Sequence, residues 1–150
     1  VLEHVLDPQQ CVAEIYRVLR KDGFVYAETP FMQQVHMPPY DFTRFTYLGH
    51  IRLFRHFRML ESGFALGPGS ALAWSTMYFY LSFSNNKWIR MAFAAIVHLT
   101  AFWLKYFDYL LLRKNTALDA ASGYFFIFQK SDTILKDSDL MNYFKGGVEF

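Results

Sequence analysis

The sequence predicts an α/β domain in which helices pack on a sheet, and three observations support this. Residues 7–22 have an amphipathic helical pattern, and they are followed by Gly23 and by a β-branched and aromatic stretch at 24–29. Helix, glycine and strand in this order are typical of the second half of a βαβ unit. Residues 123–130 form a nearly continuous apolar run, typical of a strand buried on both faces. The composition, 53% hydrophobic and 20% aromatic, is sufficient to build the core of a domain.

Local signals place the first helices and the next strand. Asp7 is a good N-cap for the first helix, and Gly23 is expected to end it. Thr46 is expected to cap a second helix. Residues 59–66 then resemble a short strand, interrupted at Gly63.

A strongly apolar region, residues 71–114, predicts a helical hairpin whose second helix covers 88–112. Fourteen residues separate Arg90 from Lys105, against roughly 20 for a bilayer-spanning helix, so a simple membrane span is disfavoured. The hairpin either covers the sheet or forms a homodimer interface, or it makes peripheral membrane contact and admits a lipid-linked acceptor. The basic residues that flank its apolar runs are Lys87, Arg90, Lys105, Arg113 and Lys114.

The remaining residues, 131–150, predict a polar C-terminal tail. It contains a short helix around 139–144 and a flexible end at Gly146 and Gly147. At the other end, the chain opens on Val-Leu-Glu-His-Val without an initiator Met or a signal segment. The sequence is therefore expected to begin within a domain.

Charge, cysteine content and motifs exclude several functions. Fifteen Lys and Arg against 13 Asp and Glu give a net charge of +2, too small for a nucleic-acid-binding protein. Cys11 is the single cysteine, which excludes an intrachain disulfide and fits a cytoplasmic location. P-loop, CxxC, HExxH and GxSxG motifs do not occur. The histidines at 50, 56 and 98 lack complementary ligands, so no metal site is expected.

Residues 30–45 predict a functional loop, because three prolines break the periodicity while polar and aromatic groups accumulate. One interpretation is a lid over a substrate, contacted by His36, Tyr40, Asp41 and Arg44, with Arg44 gripping a carboxylate or phosphate. The other is an ion pair between Asp41 and Arg44 that fixes the loop.

A resemblance to a known family is carried by residues 2–5, 7–8 and 14–31. These segments read Leu-Glu-His-Val, Asp-Pro, and a helix, Gly and strand ending in Thr-Pro-Phe. They resemble the second half of class I S-adenosylmethionine-dependent methyltransferases of the type 11 group. Weaker similarity continues through 39–46, Gly63-Phe64, 67–70 and the last strand.

The resemblance implies the C-terminal half of a Rossmann-like methyltransferase sheet with an inserted apolar helical hairpin. Residues 2–5 would follow the fourth strand of that sheet, and 24–29 would be the fifth. Residues 2–5 and 29–31 would then lie at the carboxyl ends of neighbouring strands, where open α/β sheets bind ligands. Leu2 and Glu3 would then contact S-adenosylmethionine, and Thr29 the acceptor. The family's glycine-rich cofactor loop would lie upstream of Val1, so this segment alone is expected to bind the cofactor poorly.

The chemistry that the resemblance implies is methyl transfer from S-adenosylmethionine to a small or lipid-linked acceptor. His4 is the candidate base for an acceptor hydroxyl, since histidine exchanges a proton near neutral pH; otherwise it is a structural residue that orders the turn. Glu3 either contacts the cofactor or caps the following helix. The rival function is a non-catalytic, membrane-associated or protein-interaction module on the same scaffold.

Overall fold

The computed structural model describes residues 1–147 and shows three strands with helices around them. The mixed α/β class that the sequence predicts is confirmed. The elements in chain order are a 3-10 turn at Leu2–His4, α1 (Pro8–Val18), β1 (Phe24–Pro30), α2 (Tyr47–Leu53), β2 (Phe57–Leu66), α3 (Pro68–Leu81), α4 (Lys87–Thr100), a 3-10 segment at Phe102–Phe107, α5 (Asp108–Leu111), a 3-10 segment at Asn115–Ala120, β3 (Gly123–Lys130) and a 3-10 segment at Asp137–Tyr143.

The sheet has the strand order β1-β3-β2, with β3 antiparallel to both neighbours. Ala27 pairs with Phe126 on one side, and Ser62 pairs with Phe126 on the other. β1 and β2 consequently run in the same direction without touching. Within residues 1–147 every hydrogen-bonded strand pair is antiparallel, so the Rossmann-like arrangement around this sheet stays a prediction.

The core is built on β3, the central strand, which buries the face of Tyr124, Phe126 and Phe128 and only partly buries the opposite face of Phe125 and Ile127. Phe126 and Phe128 are fully buried, so the predicted burial of both faces is confirmed for this face alone. Phe54 stacks on Phe128 with ring centroids 4.5 Å apart, and His50 stacks on Phe126 at 4.4 Å. These contacts attach α2 to one face of the sheet.

Both predicted N-caps are confirmed. The Asp7 side chain accepts a hydrogen bond from the Gln10 backbone N–H at 2.9 Å, and that of Thr46 accepts one from Gly49 at 3.1 Å. The predicted end of the first helix is wrong. α1 stops at Val18, because the next residue is extended and the following turn takes Asp22 to a positive φ of 57°.

β2 corrects a second prediction, since the strand begins at Phe57 and runs through Gly63 without interruption. Its irregularities lie between Met59 and Glu61 and between Phe64 and Leu66. Gly63 faces the ring of Phe125, where an added Cβ would lie 2.8 Å from a ring carbon. The glycine therefore makes room for a cross-strand aromatic ring.

The apolar region folds into α3 and α4, which bury Met77, Val97 and Ala101 in a small second core. One continuous helix over 88–112 is wrong: α4 ends at Thr100, and 3-10 and short α-helical turns follow. No helix among the described residues has the length and apolarity needed to cross a membrane.

Asp108 explains why the chain turns back after α4. Its carboxylate accepts hydrogen bonds from the backbone N–H groups of Gly67, Gly69 and Ser70 at 2.7 to 3.1 Å and from the Ser70 hydroxyl at 2.6 Å. These amides form the N-terminus of α3, where a negative charge is favourable. Gly69 permits the approach, since a Cβ there would lie 2.2 Å from the Leu104 carbonyl oxygen.

The C-terminal segment contacts α2 and the 3-10 segment at Asn115–Ala120. Arg52 donates to Asp137 at 3.0 and 3.2 Å, and the Gly147 N–H donates to Asp119 at 2.7 Å. The short helix expected around 139–144 is a 3-10 segment that begins earlier, at Asp137. Residues 148–150 of the predicted tail lie outside the described residues.

Candidate functional site

The candidate site lies where the first residues meet the loop between β1 and α2, residues 31–46. The Glu3 carbonyl oxygen accepts hydrogen bonds from the backbone N–H groups of Phe42, at 2.8 Å, and Thr43, at 3.3 Å. On its other side the loop contacts α3, since the Gln34 amide donates to the Ser75 hydroxyl at 3.0 Å. These hydrogen bonds hold the loop against the 3-10 turn at Leu2–His4 on one side and against α3 on the other.

Glu3 is the buried acid at the centre of the site, with 8% of its side chain exposed. Oε1 lies 3.4 Å from His4 Nε2 and 3.6 Å from His36 Nε2, and Oε2 accepts a hydrogen bond from the Val1 ammonium at 2.9 Å. Burial acts to raise the pKa of Glu3, but hydrogen bonds from Val1 and from its own backbone N–H, with the charges of Val1 and His4, hold that pKa below its usual value. Glu3 is therefore a carboxylate at neutral pH.

His4 is held in one tautomer. Its Nδ1 lies in hydrogen-bonding contact with the backbone carbonyl oxygen of Tyr40, which can only accept. Nδ1 therefore carries the proton, and in the neutral imidazole Nε2 has the lone pair that faces Glu3. The ring of Tyr40 is exposed, so this residue acts on the site through its main chain.

His36 completes the cluster from the far side of the loop. Its ring centroid lies 5.0 Å from that of His4, with the rings nearly perpendicular. Its Nδ1 faces Asp41 Oδ2 at 3.7 Å, while the Asp41 carboxylate accepts from the His36 backbone N–H at 2.8 Å. The side chains of His4 and His36 are 23% and 30% exposed, so the cluster is open to solvent on one side.

Asp41 and Arg44 form the ion pair that fixes the loop. The Asp41 carboxylate is 1% exposed and accepts hydrogen bonds from both terminal guanidinium nitrogens of Arg44. Hydrogen bonding to Arg44 holds the pKa of Asp41 well below its usual range. Arg44 also donates to the backbone carbonyl oxygens of Gln33, Gln34 and Thr43 at 3.1 to 3.2 Å. With these bonds made, Arg44 is not free to grip a substrate carboxylate or phosphate.

Other predicted site residues lie elsewhere. Thr29 is 1% exposed, and its hydroxyl lies 2.7 Å from His50 Nδ1, so the side chain faces the core and not an acceptor. Leu2 is buried in the core, which leaves only its main chain for a cofactor contact. The alternative that Glu3 caps the next helix is wrong, because Asp7 occupies that position.

The sequence pattern does not place Glu3 and His36 together, and it predicts no metal site. The two residues are 33 positions apart and belong to different elements, so no spacing rule connects them. Only the density of polar residues in the loop indicated that His36 had a role.

A separate groove of about 760 Å³ lies between α1, α2 and the start of β2. Val12 and Phe45 contribute to its apolar lining, and Arg52 and Arg55 lie at its edge. Both arginines face Asp137, at 3.0 and 3.6 Å. Glu3, His4 and His36 do not line this groove, so it is distinct from the candidate site.

The comparisons with known proteins give one match. Residues 1–27 match a family described as Methyltransferase domain, and the matched segment runs from the 3-10 turn through α1 into β1. Comparisons with curated proteins and with solved structures give no match. Residues 1–27, which include Glu3 and His4, are therefore similar to part of a methyltransferase domain.

Proposed function

We propose that this chain supplies part of a methyl-transfer site that uses S-adenosylmethionine and acts on a small or lipid-linked acceptor. The observation that carries the proposal is the family match over residues 1–27, because it includes Glu3 and His4 of the buried cluster. The remaining member, His36, comes from the loop that the sequence singles out as functional.

In this proposal Glu3 attracts the cationic end of the cofactor. S-Adenosylmethionine carries a sulfonium and an ammonium group, and Glu3 is a carboxylic acid with 8% of its side chain exposed. A buried anion interacts more strongly with a cation than an exposed one does, because less water screens the pair. Leu2 would contribute its main chain to the same contact.

His4 is the proposed proton acceptor. Methyl transfer forms a bond between the acceptor atom and the methyl carbon while the carbon–sulfur bond breaks, and the cofactor leaves as neutral S-adenosylhomocysteine. An acceptor hydroxyl must lose its proton in this step, and Nε2 of His4 offers a lone pair because the proton of the ring is held at Nδ1 by Tyr40. Holding the reactants in line supplies much of the remaining acceleration.

The test uses the complete gene product that contains these residues, with S-adenosylmethionine labelled in its methyl group. Separate reactions contain a polar metabolite extract and a total lipid extract as acceptor sources. We expect label transfer into one extract and a loss of about 100-fold in kcat for His4→Ala, with cofactor affinity unchanged.

His98→Ala is the matched control, because His98 is an exposed histidine whose Nδ1 contacts the carbonyl oxygen of its own helix. It should keep full activity. Failure of the complete protein to bind S-adenosylmethionine would contradict the proposed function, whereas full activity of His4→Ala would contradict the proton-acceptor role alone.

A second candidate function, peripheral membrane docking, is favoured by the outer surface of α4. Trp88, Met91 and Leu99 recur on one side of this helix and are 72%, 52% and 84% exposed. Residues 68–114 carry five basic side chains, and their one acid, Asp108, is bound to the N-terminus of α3. An exposed apolar face on a segment with an excess of basic side chains suits an anionic lipid surface.

Vesicle binding tests this second function. Vesicles of phosphatidylcholine and phosphatidylserine should sediment the protein, and the double substitution Trp88→Ser and Leu99→Ser should weaken binding about 10-fold or more, since each removes exposed apolar area. Leu6→Ser, at an apolar residue 84% exposed outside this surface, is the control. Absence of co-sedimentation at low salt would rule out membrane docking.

A further inference from the structure

We propose that Glu3, His4 and His36 bind a divalent transition-metal cation, with Zn²⁺ as the best fit. One ligand atom from each of the three side chains lies within 4.8 Å of the other two. The proposal goes beyond methyl transfer and does not depend on it, since it concerns what these side chains bind.

The distances favour a cation over a shared proton. Oε1 of Glu3 is 3.4 Å from His4 Nε2 and 3.6 Å from His36 Nε2. A charge-assisted hydrogen bond between such atoms would measure about 2.7–2.9 Å. A tetrahedral zinc ion with bonds of about 2.0–2.1 Å separates its ligand atoms by about 3.4 Å. The gap between the carboxylate and the two rings therefore has the size of a coordinated ion.

The other ring nitrogens are arranged as in metal-binding histidines, which donate their second N–H to a carbonyl or a carboxylate. His4 donates from Nδ1 to the Tyr40 carbonyl oxygen. His36 turns Nδ1 towards the Asp41 carboxylate at 3.7 Å, and this buried nitrogen has no hydrogen-bond partner within the described residues. Arg44 in turn fixes Asp41. Both rings thus direct Nε2 to the same carboxylate oxygen.

The ligand chemistry selects the class of metal. Two imidazole nitrogens and one carboxylate oxygen suit Zn²⁺ and its neighbours, whereas Mg²⁺ and Ca²⁺ prefer oxygen ligands alone. Three protein ligands leave at least one position open, as in catalytic zinc sites. The partial exposure of both histidines, 23% and 30%, gives that position access to solvent or to an acceptor oxygen.

A cation in this position would change how the acceptor is activated. With the metal bound, Nε2 of His4 would be occupied, so the proton-acceptor role of His4 and the cofactor contact of Glu3 proposed above apply to the metal-free protein. A hydroxyl bound to the metal loses its proton more readily than a free one, because the cation stabilises the oxyanion.

The experiment uses the full 150-residue chain, stripped of metal with EDTA and titrated with Co²⁺ followed by visible absorption and with Zn²⁺ followed by calorimetry. We expect one ion per chain and the absorption bands of Co²⁺ with nitrogen and oxygen ligands. His36→Gln should weaken binding by about 100-fold, since a ligand matters at least as much as the groups that orient it. His98→Gln, at an exposed histidine, should bind as the wild type does.

Absence of saturable one-to-one binding in the wild-type chain would overturn the proposal, as would unchanged binding in His36→Gln. Glu3→Gln should also weaken metal binding, and circular dichroism shows whether the protein still folds with this substitution at a buried side chain. If Glu3→Gln does not fold, the result for His36→Gln decides the test, because the His36 side chain is 30% exposed. Metal binding without methyl transfer in the complete gene product would support the metal site and contradict the proposed function.

Discussion

Asp41→Ala is expected to lower the free energy of unfolding by about 3 kcal/mol, because removal of one partner leaves the other as an uncompensated charge. The Asp41 carboxylate is 1% exposed, while Arg44 is 25% exposed and makes further bonds to backbone carbonyl oxygens. Water can reach part of the orphaned guanidinium, which places the cost at the lower end of the range for buried pairs. Urea denaturation in the presence of EDTA measures it without a contribution from bound metal.

Two variants make the prediction specific. Asp132→Ala removes an exposed aspartate and should change stability by less than about 0.5 kcal/mol. Arg44→Lys keeps the charge but cannot form the paired contact of a guanidinium with a carboxylate, so it should be destabilising as well. An Asp41→Ala protein as stable as Asp132→Ala would show that the loop is held by its other contacts.

Asp41→Ala is also expected to change the position of His36 in the candidate site. Asp41 accepts from the His36 backbone N–H and faces the His36 ring, so it determines where that ring lies relative to Glu3. The ion pair stabilises the loop and positions one member of the cluster. Arg44 therefore contributes to the site through Asp41.

The sequence predicted what depends on neighbouring residues. The caps Asp7 and Thr46 act on N–H groups three residues away, and Asp41 and Arg44 are three positions apart, so each interaction could be inferred locally. The buried strand β3 was also predictable, because its apolar run is continuous.

What the sequence could not predict depends on contacts between distant residues. α4 ends at Thr100 although apolar residues continue, and Asp108 packs on the N-terminus of α3 about 40 positions earlier. The pairing of His36 with Glu3 depends on how the loop at 31–46 packs on the 3-10 turn at Leu2–His4. No periodicity in the sequence predicts this packing. The family resemblance implied that Thr29 contacts the acceptor, but the hydroxyl of Thr29 lies against a histidine inside the core.

That histidine predicts a strong dependence of stability on pH. His50 is fully buried, and burial lowers its pKa to about 3. Its Nδ1 contacts the Thr29 hydroxyl at 2.7 Å, and Nε2 has no partner within the described residues. The rings around it carry no charge; they belong to Phe45, Phe54, Phe126 and Phe128. These neutral rings cannot stabilise the positive charge that protonation would place on His50.

The direction in which pH changes stability depends on the protonation of His50 in the folded and in the unfolded chain. Above pH 6.5 the histidine is neutral in both the folded and the unfolded chain, so it adds no pH dependence. Between pH 6.5 and about 3 the unfolded chain binds a proton that the folded chain excludes, and stability falls by about 1.4 kcal/mol per pH unit. Lowering the pH from 7 to 5 should therefore reduce the free energy of unfolding by about 2 kcal/mol through His50 alone.

Denaturation curves at pH 7, 6 and 5 for the wild type, His50→Gln and His98→Gln test this assignment. His50→Gln removes the titrating group while its amide can still bond to Thr29, so it should be less stable than the wild type at pH 7 and lose much of the slope below pH 6.5. His98→Gln should keep the slope, because the exposed His98 side chain is solvated in both states. A slope in His50→Gln as steep as that of the wild type would place the proton uptake at other groups and contradict the assignment.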